Sequence, residues 1–270
     1  MRSMPSRCTP PPLRVALIGL GTIGSALREA LRGIPEQAVI CGTLVRTASA
    51  TDGGCCTSLD ALLERQPDVV VECAGHQAVD AYAEQVLSAG HDMLLVSAGA
   101  LANAARYARL RVAVEHSGSQ LLVASGAVGG LDILTAARRA GLHGVHYRSR
   151  KPPAAWLGTA AEDHVNLSTL TAPHAFFHGS ARAAALQYPR NANVAATIAL
   201  ATLGFDETQV ELVADPEVDC NVHEILADGV SGRLSFRIEG RAAPGNPKTS
   251  MVTAHSLVNT LLTRTGALLV

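Results

Sequence analysis

Residues 13–24 read LRVALIGLGTIG, and the fold unrolls outward from them. Leu13–Ile18 is a short apolar run of the kind a fully buried strand uses. Gly19, Gly21 and Gly24 follow in the spacing G-x-G-x-x-G, and an amphipathic stretch then runs to about Leu31. That spacing is informative when a strand feeds it and a helix leaves it, as here. Gly19 permits the tight turn, Gly21 lets a pyrophosphate approach the backbone, and Gly24 lets helix and strand pack closely. The first helical turn, Thr22 and Ile23, offers unpaired N–H groups and a positive dipole end to phosphates.

Downstream, strand and helix alternate. Residues 38–45 read as a strand and 59–65 as a helix, and Pro67 introduces the β-branched run DVVVECAG. Residues 78–89 are helical, 93–97 extended, 101–115 helical and 120–124 extended. Such βαβα order predicts a parallel, doubly wound α/β sheet of the Rossmann type. The second half has another rhythm. A helix at 130–140 leads to a strand at 145–150, a loop carrying KPPAAW, and helices near 180–187 and 193–203. Strands near 209–214, 221–227 and 232–239 alternate polar with apolar, which predicts antiparallel pairing with one face packed and one open. A last helix, 248–264, follows NPKTS and returns to the first domain. The expected division is a tail at 1–12, a dinucleotide-binding domain at 13–128 plus the C-terminal helix (about 248–270), and a catalytic and dimerisation domain at 129–247.

Composition narrows the function. The 270 residues are 48% hydrophobic and 17% charged, as in ordinary globular chains, which excludes long disorder. Lys and Arg total 22 against 23 Asp and Glu, so there is no basic surplus for a nucleic-acid backbone. No apolar run reaches the ~20 residues that cross a bilayer. MRSMPSRCTPPP lacks the apolar core of a signal peptide, so we read a loose Pro-rich tail and expect a cytoplasmic protein. The six cysteines form no CxxC pair and read as free thiols. The ten histidines include no HExxH string, and no protein-held metal is expected. Twenty of the 22 basic residues are Arg, so Lys151 and Lys248 stand out as compact ammonium groups.

The second strand should end near an adenosine ribose, where an Asp or Glu would bind the 2′-hydroxyl of NAD. The chain has Val45-Arg46-Thr47-Ala48-Ser49 there instead. Arg46 is suited to a 2′-phosphate, with Thr47 or Ser49 as donors, so NADP is expected alongside NAD. Glu72, Cys73 and Ala74 end the third strand at the ligand crevice, and Ala74 is expected to touch the cofactor. Glu72 either caps the loop or reaches the nicotinamide ribose. Cys73 is a nucleophile only in a covalent mechanism, for which the sequence shows no histidine partner.

The strings VECAGH (71–76), SGAVGGLD (125–132), RKPPAAWLG (150–158), NANVAAT (191–197), ADPEVDCNVHEI (214–225) and NPKTS (246–250) together resemble the L-aspartate dehydrogenase family over nearly the whole chain. The resemblance implies a Rossmann domain followed by an α/β domain with an open mixed sheet, and commonly a homodimer. It implies oxidation of L-aspartate by NAD or NADP to iminoaspartate, which hydrolyses to oxaloacetate and ammonia or feeds NAD biosynthesis. By the same resemblance the catalytic histidine is His223, and cofactor contacts fall on Ala127 and Asn193. A dihydrodipicolinate reductase or homoserine dehydrogenase type of enzyme, or a non-catalytic NAD(P)-binding sensor, is the alternative. NVHEI and NPKTS argue against the first and an available His223 against the second.

Oxidising an amine requires it neutral, and histidine suits the proton transfer. His76, after the third strand, is the rival base; His164, His174 and His178 read as structural. Two substrate carboxylates need cations or N–H donors. Lys151 and Lys248, each beside a proline, are the candidates, with Thr249 and Ser250 at the expected start of the last helix. Asn191 precedes the NVAAT helix and joins the substrate set. Trp156, the only Trp, either walls the site or packs the core.

Overall fold

The computed structural model describes residues 11–47, 54–243 and 246–264, with backbone only at 242–243 and 246–249. The first half builds a six-stranded, wholly parallel sheet from β1 (Leu13–Ile18), β2 (Ala38–Leu44), β3 (Cys55–Cys56), β4 (Val69–Glu72), β5 (Asp92–Leu95) and β6 (Leu121–Val123). Its strand order is β3-β2-β1-β4-β5-β6, so the chain reverses direction beside β1. Ligand crevices of doubly wound sheets open at that reversal, outside the strand carboxyl ends.

Alternation within β1 divides the core. Val15 and Leu17 pack with Leu27 and Leu31 of α1 (Thr22–Arg32) and Leu257 and Leu261 of α8 (Val252–Leu262). Ala16 and Ile18 face the other way, toward Leu59 and Leu62 of α2 (Leu59–Leu63) and Val79 and Ala83 of α3 (His76–Ser88). Each fully buried Leu in these layers contributes roughly 1.5–3 kcal/mol. The C-terminal helix α8 thus lies against α1.

The second sheet runs β11-β10-β7-β9-β8, from β7 (Leu142–Lys151), β8 (His174–Ser180), β9 (Gln209–Ala214), β10 (Asn221–Gly229) and β11 (Gly232–Gly240). It is mixed: β7 and β9 are parallel, whereas the alternating pattern alone suggested antiparallel strands throughout. Alternation reports which face is buried, not strand direction. Helices α5 (Leu131–Ala140) and α6 (Ala181–Gln187) pack on one face. The other face carries a cross-strand row of charge, Arg237, Glu224, Arg148, Glu211 and His178.

Three local expectations need correction. The last helix does not open on NPKTS. Residues Asn246–Ser250 form β13, antiparallel to β12 (Ala242–Ala243), and α8 starts only at Val252. Pro247 biases Asn246 toward extended backbone, and the hairpin takes over from the Ser/Thr capping signal. The helix expected from Leu101 begins at Ala104 as α4 (Ala104–Ser117), because Asn103 accepts from the Arg106 backbone N–H at 2.9 Å and Ala98–Ala102 forms a 3-10 turn. Strand β8 and the two-residue β3 were not anticipated.

Candidate functional site

The glycine loop is assembled as its spacing requires. Gly19 sits at φ +93, and a Cβ placed on it would lie 2.7 Å from Ala74 Cβ. A Cβ on Gly24 would come within 2.4 Å of the Gly19 carbonyl oxygen, which is how closely α1 meets the turn. Gly21 has no heavy atom within 4 Å of where its Cβ would stand, so its backbone is open to a ligand. No side chain caps α1, and Thr22 lies exposed at its start. Gly19, Gly21, Arg46, Thr47, Ala74 and Tyr82 are among the residues around a cleft of about 870 Å³. No carboxylate is among the described residues that line it, and Arg46 is exposed at its edge. These features fit a dinucleotide. Ala48 and Ser49 lie outside the described residues.

The crevice loops are braced by Glu72. This fully buried carboxylate accepts from the backbone N–H groups of Ala74 (2.7 Å), Gly75 (2.6 Å) and Ser97 (3.0 Å) and from Ser97 Oγ (3.1 Å). Glu72 therefore caps the loop. Burial raises its pKa, and the four donors work against that rise. Burial, then the Glu72 carboxylate, raises the Cys73 thiol well above its ordinary value, which disfavours a thiolate nucleophile.

A second, smaller cavity of about 90 Å³ lies where the two sheets meet, bordered by Ile23, the loop 125–127, the start of α7 (Asn193–Ala201) and Thr253. His223, Lys151, Asn191, Asn193, Asn221 and Ala127 line it together. Strand pairing explains the convergence. Register His223↔Ser149 and Ile225↔Tyr147 puts Asn221 and His223 of β10 on the same face as Tyr147 and Lys151 of β7. Ser256 Oγ accepts from the Gly126 N–H at 3.1 Å, so α8 fastens the loop that carries Ala127.

His223 is 3% exposed, and its Nδ1 lies 2.7 Å from Tyr147 Oη. Nε2 is thus the nitrogen left for a ligand. Burial, then the charge of Lys151, lowers the His223 pKa to about 3, so the imidazole is neutral at pH 7. Burial raises the Tyr147 pKa, and its hydroxyl keeps its proton. Lys151 Nζ stands 5.2 Å from the Trp156 ring centroid. Trp156 is itself fully buried, donates to the Val213 carbonyl at 3.1 Å and meets Phe176 edge-on at 4.8 Å. It is a core residue that also floors the lysine.

Asn193 Oδ1 accepts from the Gly99 N–H at 3.0 Å and stands 3.4 Å from His76 Nε2. The start of α7 is thereby tied to the turn after β5. His76 does not line the cavity with His223; it begins α3, its pKa lowered chiefly by burial. His164, His174 and His178 are exposed. His174 and His178 have the spacing H-x-x-x-H, on strand β8 rather than on a helix turn. Ser250 does not join the cavity: it sits at the end of β13 against Gly240. The side chains of Lys248 and Thr249 lie outside the described residues.

Asn221, Tyr147, Thr253 and Arg190 are among the lining or supporting residues that escaped the sequence reading. Asn221 was available from period-2 alternation with His223, and Tyr147 from the alternation that reaches Lys151. Thr253 follows from where α8 begins. Arg190, exposed at the cavity edge beside Asn191, was hidden among twenty arginines.

Two family profiles match the chain in series. One, described as "Homoserine dehydrogenase, NAD binding domain", matches residues 19–124; the other, "Aspartate dehydrogenase, C-terminal", matches 132–264. The L-aspartate dehydrogenase of Ruegeria pomeroyi is 44% identical over 262 residues, covering 95% of this chain and 94% of that protein. The L-aspartate dehydrogenase of Pseudomonas aeruginosa is 42% identical, covering 92% and 96%. Among solved structures, aspartate dehydrogenase from Thermotoga maritima superimposes with a TM-score of 0.78 at 28% identity, covering 96% of this chain and 99% of that one.

Proposed function

We propose that this chain, which belongs to the L-aspartate dehydrogenase family, oxidises L-aspartate with NAD or NADP to iminoaspartate, which water converts to oxaloacetate and ammonia. The observation that carries the reading is the meeting of a neutral, buried His223 and the Lys151 ammonium in one cavity beside the glycine-loop helix. The division of labour is part of the proposal. Residues 13–128 with the C-terminal helix hold the dinucleotide, and 129–247 present the histidine; the packing of α8 on α1 supports it.

NAD or NADP, held by the glycine loop, would supply the acceptor for the hydride on the substrate Cα. The chain's own groups do the rest. In the base-competent tautomer, Nδ1–H of His223 donates to Tyr147 Oη, and the Nε2 lone pair faces the amino group. Lys151 takes one carboxylate, and Arg190 at the cavity edge is suited to the other. A carboxylate beside Lys151 offsets the charge that depresses the imidazole, so substrate binding raises the proton affinity of Nε2 when a base is needed. Asn193 and Ala127 hold the nicotinamide end, and Glu72 keeps the loops at the strand ends rigid. Cofactor formation should be followed with aspartate, glutamate, alanine and homoserine. Aspartate alone is expected to give rapid turnover; preference for homoserine, or no turnover with any, would defeat the reading.

Arg46 sets the cofactor choice in this proposal. Arg46→Ala is expected to raise the KM for NADP about tenfold, the cost of a charge-assisted contact, and to leave NAD nearly unchanged. An equal loss for both cofactors would remove Arg46 from the phosphate site.

A homodimer formed through the open face of the second sheet belongs to the same proposal. Its row of alternating charge is self-complementary, and Leu226 stands 51% exposed beside it. A cytoplasmic location is supported by Cys41, Cys55, Cys56, Cys73 and Cys220, all free thiols. No described helix is long and apolar enough to cross a membrane.

A further inference from the structure

The cavity around His223 contains two buried acceptors that the protein leaves without donors. Asn191 is 6% exposed and Asn221 is 3% exposed, and both line the cavity. Asn191 Nδ2 donates to the Ala155 carbonyl oxygen at 3.2 Å, which sets the orientation of its amide and leaves Oδ1 over. Neither Asn191 Oδ1 nor Asn221 Oδ1 has a hydrogen-bond partner. Buried carbonyl oxygens are nearly always satisfied, so two orphans in one ligand cavity mark where donors arrive with the ligand. A third acceptor stands with them, since Tyr147 occupies His223 Nδ1 and leaves Nε2.

We propose that Asn191 and Asn221 form the amino subsite, their Oδ1 atoms accepting N–H bonds from the α-amino group while His223 Nε2 takes its remaining proton. The inference rests on the aspartate reading above and deepens it. Two amide acceptors match the two N–H groups of a neutral amine, the form that can release hydride. A 2-hydroxy acid of the same skeleton brings one O–H and leaves an acceptor orphaned. The pair therefore selects amino acid over hydroxy acid. A site built to hydrogen-bond a substrate group rejects analogues that lack it far more strongly than an apolar pocket can.

The test compares the KM of aspartate with the Ki of succinate, the same dicarboxylate without an amino group, at saturating NAD. In the wild type, succinate is expected to bind about tenfold more weakly than aspartate. Asn221→Leu and Asn191→Leu, close in shape to asparagine, should each raise the aspartate KM about tenfold and leave the succinate Ki within about twofold. Asn221→Asp, which keeps an acceptor in place, should recover most of the loss. Equal wild-type binding of the two ligands overturns the subsite without any variant. So does a parallel rise in both constants, or no change in either. A rise in the KM for NAD instead would assign the acceptors to the nicotinamide carboxamide and likewise overturn it. If the wild type does not oxidise aspartate at all, the functional reading itself fails, and the subsite with it.

Discussion

Alanine at position 223 is expected to lower kcat by about 10²–10⁴-fold, the usual contribution of a positioned acid–base group, while the protein stays folded. His223 is the one imidazole lining the cavity, and Tyr147 orients it. Its removal leaves no described group there able to take the amine proton. Lys151 is a cation, and the asparagine amides do not titrate. KM should change less than kcat, because Lys151 and the asparagines remain. The same variant carries a stability signature. The folded pKa of His223 is about 3, against about 6.5 for a histidine in an unfolded chain. Below pH 6.5 the unfolded state binds a proton that the folded state refuses. This site alone therefore weakens the wild type by about 1.4 kcal/mol per pH unit, down toward pH 3. The alanine variant lacks that term, so its urea midpoint should fall less steeply between pH 7 and 4. Wild-type kcat in a folded His223→Ala protein would take the residue out of the mechanism.

The same geometry shows what a sequence can disclose and where it stops. The parallel sheet was legible because the glycine spacing sat between a buried run and an amphipathic helix, and each signal constrains the other. The string around His223 singled it out as the proposed base, and the structure puts it in the cavity lining. Strand β8 was not, since its register shifts between Ala175 and Phe177 and the adjacent phenylalanines erase a period of two. The hairpin at 242–250 was missed because Thr249 and Ser250 look like a helix start, while the pairing that overrides them is non-local. The roles of Tyr147 and Asn191 depend on atoms brought from distant segments. Tyr147 lies 76 residues from His223, and Ala155, which orients Asn191, lies 36 residues from it. Local pattern carries no information about such pairs.

Lys151→Met should raise the KM for aspartate by about 10²-fold, because a buried charge partner removed from a carboxylate typically costs about 2–5 kcal/mol. Methionine, one atom shorter, keeps an unbranched polarisable chain beside the Trp156 ring and removes the ammonium. Lys151→Arg is not expected to rescue. Lys151 is 4% exposed against a fully buried indole, and a planar guanidinium is larger than an ammonium and does not present its charge as one compact point. A second effect follows from the coupling to His223. Burial is the larger cause of the depressed imidazole pKa and Lys151 the smaller. In Lys151→Met the His223 pKa should therefore rise, but stay below its ordinary value, and NMR titration of the ring would show it. A raised KM together with a raised His223 pKa places the ammonium between substrate and base. If aspartate KM does not move in a folded Lys151→Met protein, the carboxylate is held elsewhere. Arg190 would then be the cation to replace first, since it is the other one lining the cavity.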